Sequence, residues 1–464
     1  MRGIVVTLVI FSTIPFVLMR PYIGLLVYSW VSFMSPHRLA PGTFAYDFPF
    51  AMLIGVLLII SWLISREPKS LPMTPVTVLM LLLAFWYCVT TYFAIDGVRP
   101  VWGIYPRHEW ARAEKVMLIA FLTLILLTDR KRIEGYIWLM VVSIGFYAVK
   151  GGLYTLVGGG RYWVHGPPGS MIAENNALGV ATIMVVPLVR YLQLQATHKH
   201  VRRGLTALVP IMILSAFGSQ SRGALLAIAA MGAFLLMKSR HKLAVGLSGV
   251  VLLIGILSFL PQKWYDRMET IQDYQEDTSA MGRINAWTAA INLALDRPLV
   301  GGGFRVFIAV PIVWEKYAPD PNHRAVAHSI YFQTLGQHGF PGLFFFLGVL
   351  FLAFRNGSWL IRSARDRPDL LWARDLGAML QVSLIGYAVG AAFLSLANYD
   401  LYWGIVVISV TARLIVAKQL AAPAKTPPAD AAMALTAAAP AAEPRKSFLR
   451  APGDTTNLGS FRRG

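Results

Sequence analysis

Arginines and a histidine stand in this sequence at points where long apolar runs begin or end. Gly218-Ser219-Gln220-Ser221-Arg222-Gly223 separates two such runs, and its glycine and serine residues permit a tight helical hairpin with Arg222 opening the second helix. A guanidinium beside helix N-terminal amides suits an anionic oxygen, above all a phosphate, with Ser221 as an accessory donor. The plainer alternative has Arg222 snorkelling to a lipid phosphate. Ser279-Ala280-Met281-Gly282-Arg283-Ile284-Asn285-Ala286-Trp287 reads as a helix start with Arg283 in its first turns and Trp287 one turn on. Arg283 is otherwise a surface cation paired with Glu276 or Asp277. Gly301-Gly302-Gly303 permits a sharp turn or a close backbone approach. It lacks the Gly-Lys-Ser/Thr that completes a phosphate loop.

Ala327-His328-Ser329-Ile330-Tyr331-Phe332-Gln333 supplies the third group. His328 lies where a polar segment gives way to an apolar run, so it faces water and headgroups together. A histidine there titrates near neutral pH and can act as a general base; the bland reading is an interfacial histidine. His328 and His338 lack the i,i+4 spacing of a helical zinc pair. No Asp-x-Asp, Gly-x-Ser-x-Gly or His-Glu-x-x-His occurs, so neither a metal nor another cofactor is expected. The lone Cys88 excludes an intramolecular disulfide.

The elements that must position these groups are membrane spans. Hydrophobic residues make up 56% of the 464 and charged residues 14%, with a mean hydropathy of +0.56. Apolar stretches of about 20 residues recur, each long enough for a hydrocarbon core of about 30 Å. The expected fold is an all-α polytopic membrane protein with about 12 transmembrane helices and one large periplasmic loop containing short helices. Four regions follow: an N-terminal bundle at 1–260, the polar loop at 261–328, C-terminal transmembrane helices at 329–420, and an Ala/Pro-rich disordered cytoplasmic tail at 421–464. The loop carries Asp266, Glu276, Asp277, Arg283, Arg305 and His328. Near the N-terminus, Ile4–Met19 and Tyr22–Phe33 are short, and one crossing plus a re-entrant or interfacial piece is expected there.

The net charge of +19 does not mark a nucleic-acid binder. Its basic residues cluster in alternate short loops: Arg66 and Lys69; Arg130, Lys131 and Arg132; Lys199, Arg202 and Arg203; Lys238, Arg240 and Lys242; Arg355, Arg362 and Arg365. Positive short loops mark the cytoplasmic side. That places the turn at Ser219–Ser221, the loop at 151–171 and the large loop on the opposite side, where polar chemistry would sit. Lys115, after Arg107-His108-Glu109-Trp110, either pairs with a phosphate or snorkels.

Taken in order, Ser-Arg-Gly at one outward turn, an Arg before a Trp in a large loop, Pro298-Leu299-Val300-Gly301-Gly302-Gly303, and His328-Ser329-Ile330-Tyr331-Phe332-Gln333-Thr334-Leu335 with Gly339 resemble the O-antigen ligase/polymerase superfamily. Met34-Ser35-Pro36-His37-Arg38-Leu39 and Phe44-Ala45-Tyr46-Asp47-Phe48-Pro49 are similar to the subgroup of O-glycosylation ligases associated with the exosortase A system. The resemblance runs to about Lys418.

The resemblance implies a glycosyltransferase of the bacterial inner membrane with its active site facing the periplasm. Such an enzyme moves a glycan from an undecaprenyl-pyrophosphate carrier to a lipid or protein hydroxyl without a metal. It further implies that Arg222 and Arg283 hold the donor pyrophosphate, that Arg161 in Gly160-Arg161-Tyr162-Trp163 is a weaker match to a third arginine, and that His328 activates the acceptor. Tyr331 and His338 are accessory candidates from the same motif. Ser329 replaces the commoner Asn after the histidine, and Gln337-His338 stand where an acidic residue is frequent, which puts acceptor choice in question. A polysaccharide polymerase of the same superfamily is the near alternative. A non-enzymatic transporter is the alternative of a different class.

Overall fold

Apolar runs become helices, and the breaks fall at prolines, glycines and capping side chains. A computed structural model describes residues 2–95, 106–238, 242–258, 262, 265 and 278–422. Arg240, Asp266, Glu276, Asp277 and the tail beyond residue 422 lie outside the described residues.

The longer helices are α1 (Arg2–Met19), α2 (Pro21–Met34), α3 (Phe50–Ile64), α4 (Pro75–Tyr92), α5 (Pro106–Leu126), α6 (Arg130–Gly158), α7 (Asn175–Gln195), α8 (Lys199–Gly218), α9 (Arg222–Lys238) and α10 (Lys242–Leu257). After the polar segment come α11 (Thr278–Asp296), the short α12 (Val306–Ala309) and α13 (Pro311–Tyr317), then α14 (Ile330–Ser363), α15 (Leu371–Gly390) and α16 (Asp400–Ala421). Two starts show the local logic. Thr74 accepts the Thr77 amide with Pro75 at the first helical position. Asp129 accepts the Arg132 amide at the start of α6. In each case a side-chain oxygen satisfies an amide that has no helical partner.

The protein is an all-α polytopic membrane protein, and no strand occurs among the described residues. Eight described helical segments are long and apolar enough to cross a bilayer: α1, α4, α6, α7, α8, α14, α15 with its short flanking turns, and α16. The apolar α2, α3, α9 and α10 have 14 to 17 residues, and α5 opens with charged turns. In the N-terminal pair α1 is long enough to cross and the 14-residue α2 is not. Both are continuous helices, and they turn at Arg20 into a hairpin in which Gly24 packs on Val17. α2 then runs alongside α6, with Tyr22 bonded to the Arg132 carbonyl and Tyr147 to the Met34 carbonyl.

Met1–Gln419 is one compact unit. Helices on both sides of the polar segment share its core, because α15 packs on α7 and α9. Several of the basic loops meet at one end of the bundle. Arg132 binds the Glu67 carboxylate through both terminal nitrogens at 2.9 and 2.7 Å. Arg130 reaches Gln195 at 3.1 Å, and Gln195 reaches Asp375 at 3.2 Å. The other ends of these helices carry the sequence motifs.

One of those ends contains a break. Helix α14 kinks at Gly339, where φ is 66° and ψ is −170°, and Pro341 has no amide to offer the Gln337 carbonyl. The Gly302 and Gly303 amides donate to the freed carbonyls of Gly336 and Gln337, both at 2.9 Å, and the Phe340 amide donates to Pro298. The Pro-Leu-Val-Gly-Gly-Gly segment thus fills the break in the helix that begins just after His328.

Candidate active site

His328 is held from three directions. Its own backbone sits at φ 41°, a left-handed conformation that costs a non-glycine residue about 1–3 kcal/mol and persists only where the surroundings enforce it. The carbonyl of the preceding Ala327 accepts the Trp287 indole N–H at 2.7 Å. Trp287 in turn stacks on Phe332, with centroids 4.9 Å apart and planes 17° from parallel. Asn285, on the same helix, donates to the Asp320 and His323 carbonyls at 2.7 and 2.8 Å and accepts the Asp320 amide at 2.9 Å. Helix α11 therefore grips the whole segment leading to His328.

Arg283 lies one turn before Trp287 on that helix and is half-buried. Burial is the main cause that depresses the His328 pKa; the positive charge of Arg283 depresses it further, and the carboxylate of Glu174 acts in the opposite sense. The result is a neutral imidazole at pH 7, able to accept a proton.

The Gly218–Arg222 turn is fixed from the neighbouring loop. Gln220 (φ 51°) accepts the Trp163 indole N–H at 2.7 Å and donates to the Gly160 carbonyl at 3.2 Å. Asn175 donates to the Ser219 carbonyl at 2.7 Å. Buried Ser221 accepts the Ala224 amide at 3.2 Å and so caps α9, whose first residue is the half-buried Arg222. Gly223 lies against Gly390 and Phe393, and Phe393 touches Trp287 at 6.2 Å between centroids. The start of α9 and the Arg283 helix therefore share one aromatic neighbour.

The remaining sequence candidates are placed as follows. Arg161 is exposed in the loop that Trp163 ties to Gln220. Lys115 is exposed on α5. Tyr331 donates to the Ala388 carbonyl at 2.7 Å, anchoring the first turn of α14 to α15. His338 is buried against Thr90, whose hydroxyl lies 2.8 Å from Nδ1, and between the rings of Tyr87 and Phe304. That is a packing position at the helix break. The fold thus brings together His328 and Arg283, and it links the Ser221–Arg222 turn to the Arg161 loop.

Sequence reasoning missed Glu174 and a cavity. Glu174 is the only acid between Gly151 and Asn175, which was a signal. The cavity, of about 200 Å³, is walled by Glu109, Phe304, Arg305, Gln333, Gln337 and Asn398 among others. Val326 and Gln333, on either side of His328 in the chain, both line it. Arg305 is 7% exposed, sits at φ 62° and reaches Glu109 at 3.5 Å. Among the described residues, four non-glycine residues have positive φ, and Gln220, Arg305 and His328 are three of them. No group of three or more His, Cys, Asp or Glu side chains placed to hold a metal ion occurs among the described residues.

Residues 207–347 match the family model described as O-Antigen ligase. Residues 1–197 match a family of unknown function (DUF5935). None of the curated proteins compared matches the chain. The 207–347 match encloses Arg222, Arg283, the glycine run and His328, and supports the O-antigen ligase superfamily of membrane glycan ligases and polymerases.

Proposed function

We propose that the protein is an inner-membrane glycan ligase that transfers a glycan from an undecaprenyl-pyrophosphate carrier to an acceptor hydroxyl, lipid or protein, at the periplasmic face. The observation that carries the proposal is the Trp287–Ala327 hydrogen bond, by which the helix that bears Arg283 fixes the residue before His328. In this reading neutral His328 takes the proton of the acceptor hydroxyl as its oxygen bonds to the anomeric carbon. The bond from that carbon to the pyrophosphate oxygen breaks, and the lipid pyrophosphate leaves with the electron pair. Arg283 and Arg222 stabilise the charge that builds on it, with Arg161 reaching in from its loop. Charge-assisted hydrogen bonds of this kind are roughly twice as strong as neutral ones, and charge stabilisation in the transition state is the largest source of rate in many enzymes. Attack from the face opposite the leaving group inverts the anomeric configuration.

The resemblance of the Met34–Leu39 segment favours the exosortase-associated O-glycosylation branch over chain polymerisation. The test is transfer from a purified undecaprenyl-pyrophosphate glycan in the presence of EDTA, comparing wild type with His328→Ala and Arg283→Ala. Metal-independent transfer that both substitutions abolish, with folding intact, is expected. A retained anomeric configuration would rule out the single displacement, and full activity in both variants would move the chemistry elsewhere.

A further inference from the structure

The cavity lined by Val326 and Gln333, which flank His328 in the chain, has walls that the transfer chemistry leaves unused. On the first turns of α14, Phe332 packs against Trp287, whereas Gln333 and Gln337, one helical turn apart, line the cavity. Arg305, Glu109 and Asn398 face them. Three buried polar atoms in these walls have no hydrogen-bond partner among the described residues: Arg305 Nε, Gln333 Oε1 and Ser395 Oγ. Buried polar atoms are nearly always satisfied, so three orphans around one cavity point to an occupant. Arg305 is more than nine-tenths buried and held in a left-handed conformation, and its contact to Glu109 at 3.5 Å is long for an ion pair of that kind.

The wall chemistry selects among occupants. Amides, a carboxylate and a guanidinium alternate donors and acceptors, which matches vicinal hydroxyls, each a donor and an acceptor at once. Phe304 and Phe307 add an apolar surface for the C–H face of a ring. The Glu109 carboxylate next to Arg305 disfavours a phosphate there. A cavity of about 200 Å³ has room for a sugar ring.

We infer that this cavity seats one pyranose ring of the glycan substrate beside His328, with Arg305, Gln333 and Gln337 binding its hydroxyls. The inference rests on the glycosyl-transfer reading. The ring comes either from the acceptor terminus or from the first sugar of the donor, and ring hydroxyls are the shared chemistry.

Saturation-transfer NMR on the full-length protein in nanodiscs, with a panel of methyl pyranosides as probes, tests binding directly. Wild type should saturate ring protons of at least one pyranoside, and Gln333→Ala and Arg305→Lys should weaken the signal about five-fold or more. In transfer assays the same substitutions should raise one KM about ten-fold and leave the other unchanged; the acceptor KM identifies an acceptor sugar, the donor KM a donor sugar. Gln333 is half-buried with an unbonded oxygen, so its truncation keeps the question open to measurement even if Arg305→Lys fails to fold. Wild-type transfer with both KM values unchanged in Gln333→Ala overturns the cavity assignment and leaves the transfer reading standing. Pyranoside binding lost in Gln333→Ala, in a wild type that transfers no glycan, does the reverse.

Discussion

The indole nitrogen of Trp287 lies 2.7 Å from the carbonyl oxygen of Ala327, so the residue before His328 is fixed by the helix that carries Arg283. Forty residues of chain separate the two, yet one hydrogen bond and one stacked ring pair set the distance between a cation and a base. The same tryptophan touches Phe393, against which the start of α9 packs. It is therefore the joint between both arginine-bearing motifs and the histidine.

Trp287→Phe separates the two functions of that joint. A phenyl ring can keep the stacking on Phe332 but loses the bond to Ala327, about 0.5–1.5 kcal/mol in net terms, and part of the packing toward Phe393. The expected outcome is a kcat reduced roughly three- to ten-fold in a folded protein whose melting temperature falls only slightly. An unaltered kcat would mean that His328 is positioned by its own loop alone.

The pH profile reports the charges around His328. Its pKa is depressed, so the imidazole stays a proton acceptor at neutral and mildly acidic pH, and activity falls only as pH drops through that lowered value. Arg283→Gln removes a charge that lowers the pKa, so the His328 titration followed by NMR should move up toward neutrality. Glu174→Gln removes the opposing charge, so the titration should move further down. Burial is the largest cause, and neither substitution should restore the ordinary histidine value. Titrations that move in the same direction, or not at all, would show that the two charges do not act on His328.

Membrane class and the gathering of basic loops at one end of the bundle were legible in the sequence, because apolar length and charge placement are one-dimensional signals. The Arg305–Glu109 contact was not, since 196 residues separate its members and only the packed bundle joins them. His338 shares a motif with His328, and the fold sets it in the core against Thr90 and Tyr87. Spacing along a regular helix does not anticipate the break at Gly339 just beyond it. The glycine run did announce a close backbone approach, although nothing in the sequence said that its partner was α14.

Gly339→Ala tests that break. At φ 66° and ψ −170° the position lies in a region open essentially to glycine, and an added Cβ would collide with the Leu299 and Pro298 carbonyls, the latter the acceptor of the Phe340 amide. Backbone cannot yield as a side chain tip does. The substitution should cost several kcal/mol, on the order of the larger single-site losses, and appear as poor yield or a sharply lowered melting temperature. A normally folded, active Gly339→Ala protein would show that α14 can run through unbroken and that the glycine run has some other purpose.

Glu67→Gln provides the converse case, a structural loss remote from the chemistry. Glu67 takes both terminal nitrogens of Arg132 at the basic end of the bundle, and both side chains are about three-quarters or more buried. Neutralising the carboxylate weakens two charge-assisted bonds and leaves the guanidinium under-compensated, a cost of about 1–3 kcal/mol. The melting temperature should fall, while kcat, both KM values and the acid limb of the pH profile stay at wild-type values. If the pH profile moved with the melting temperature, the basic face would be coupled to the His328 end through α6 and α7. The separation of scaffold from site at the two ends of the bundle would then be wrong.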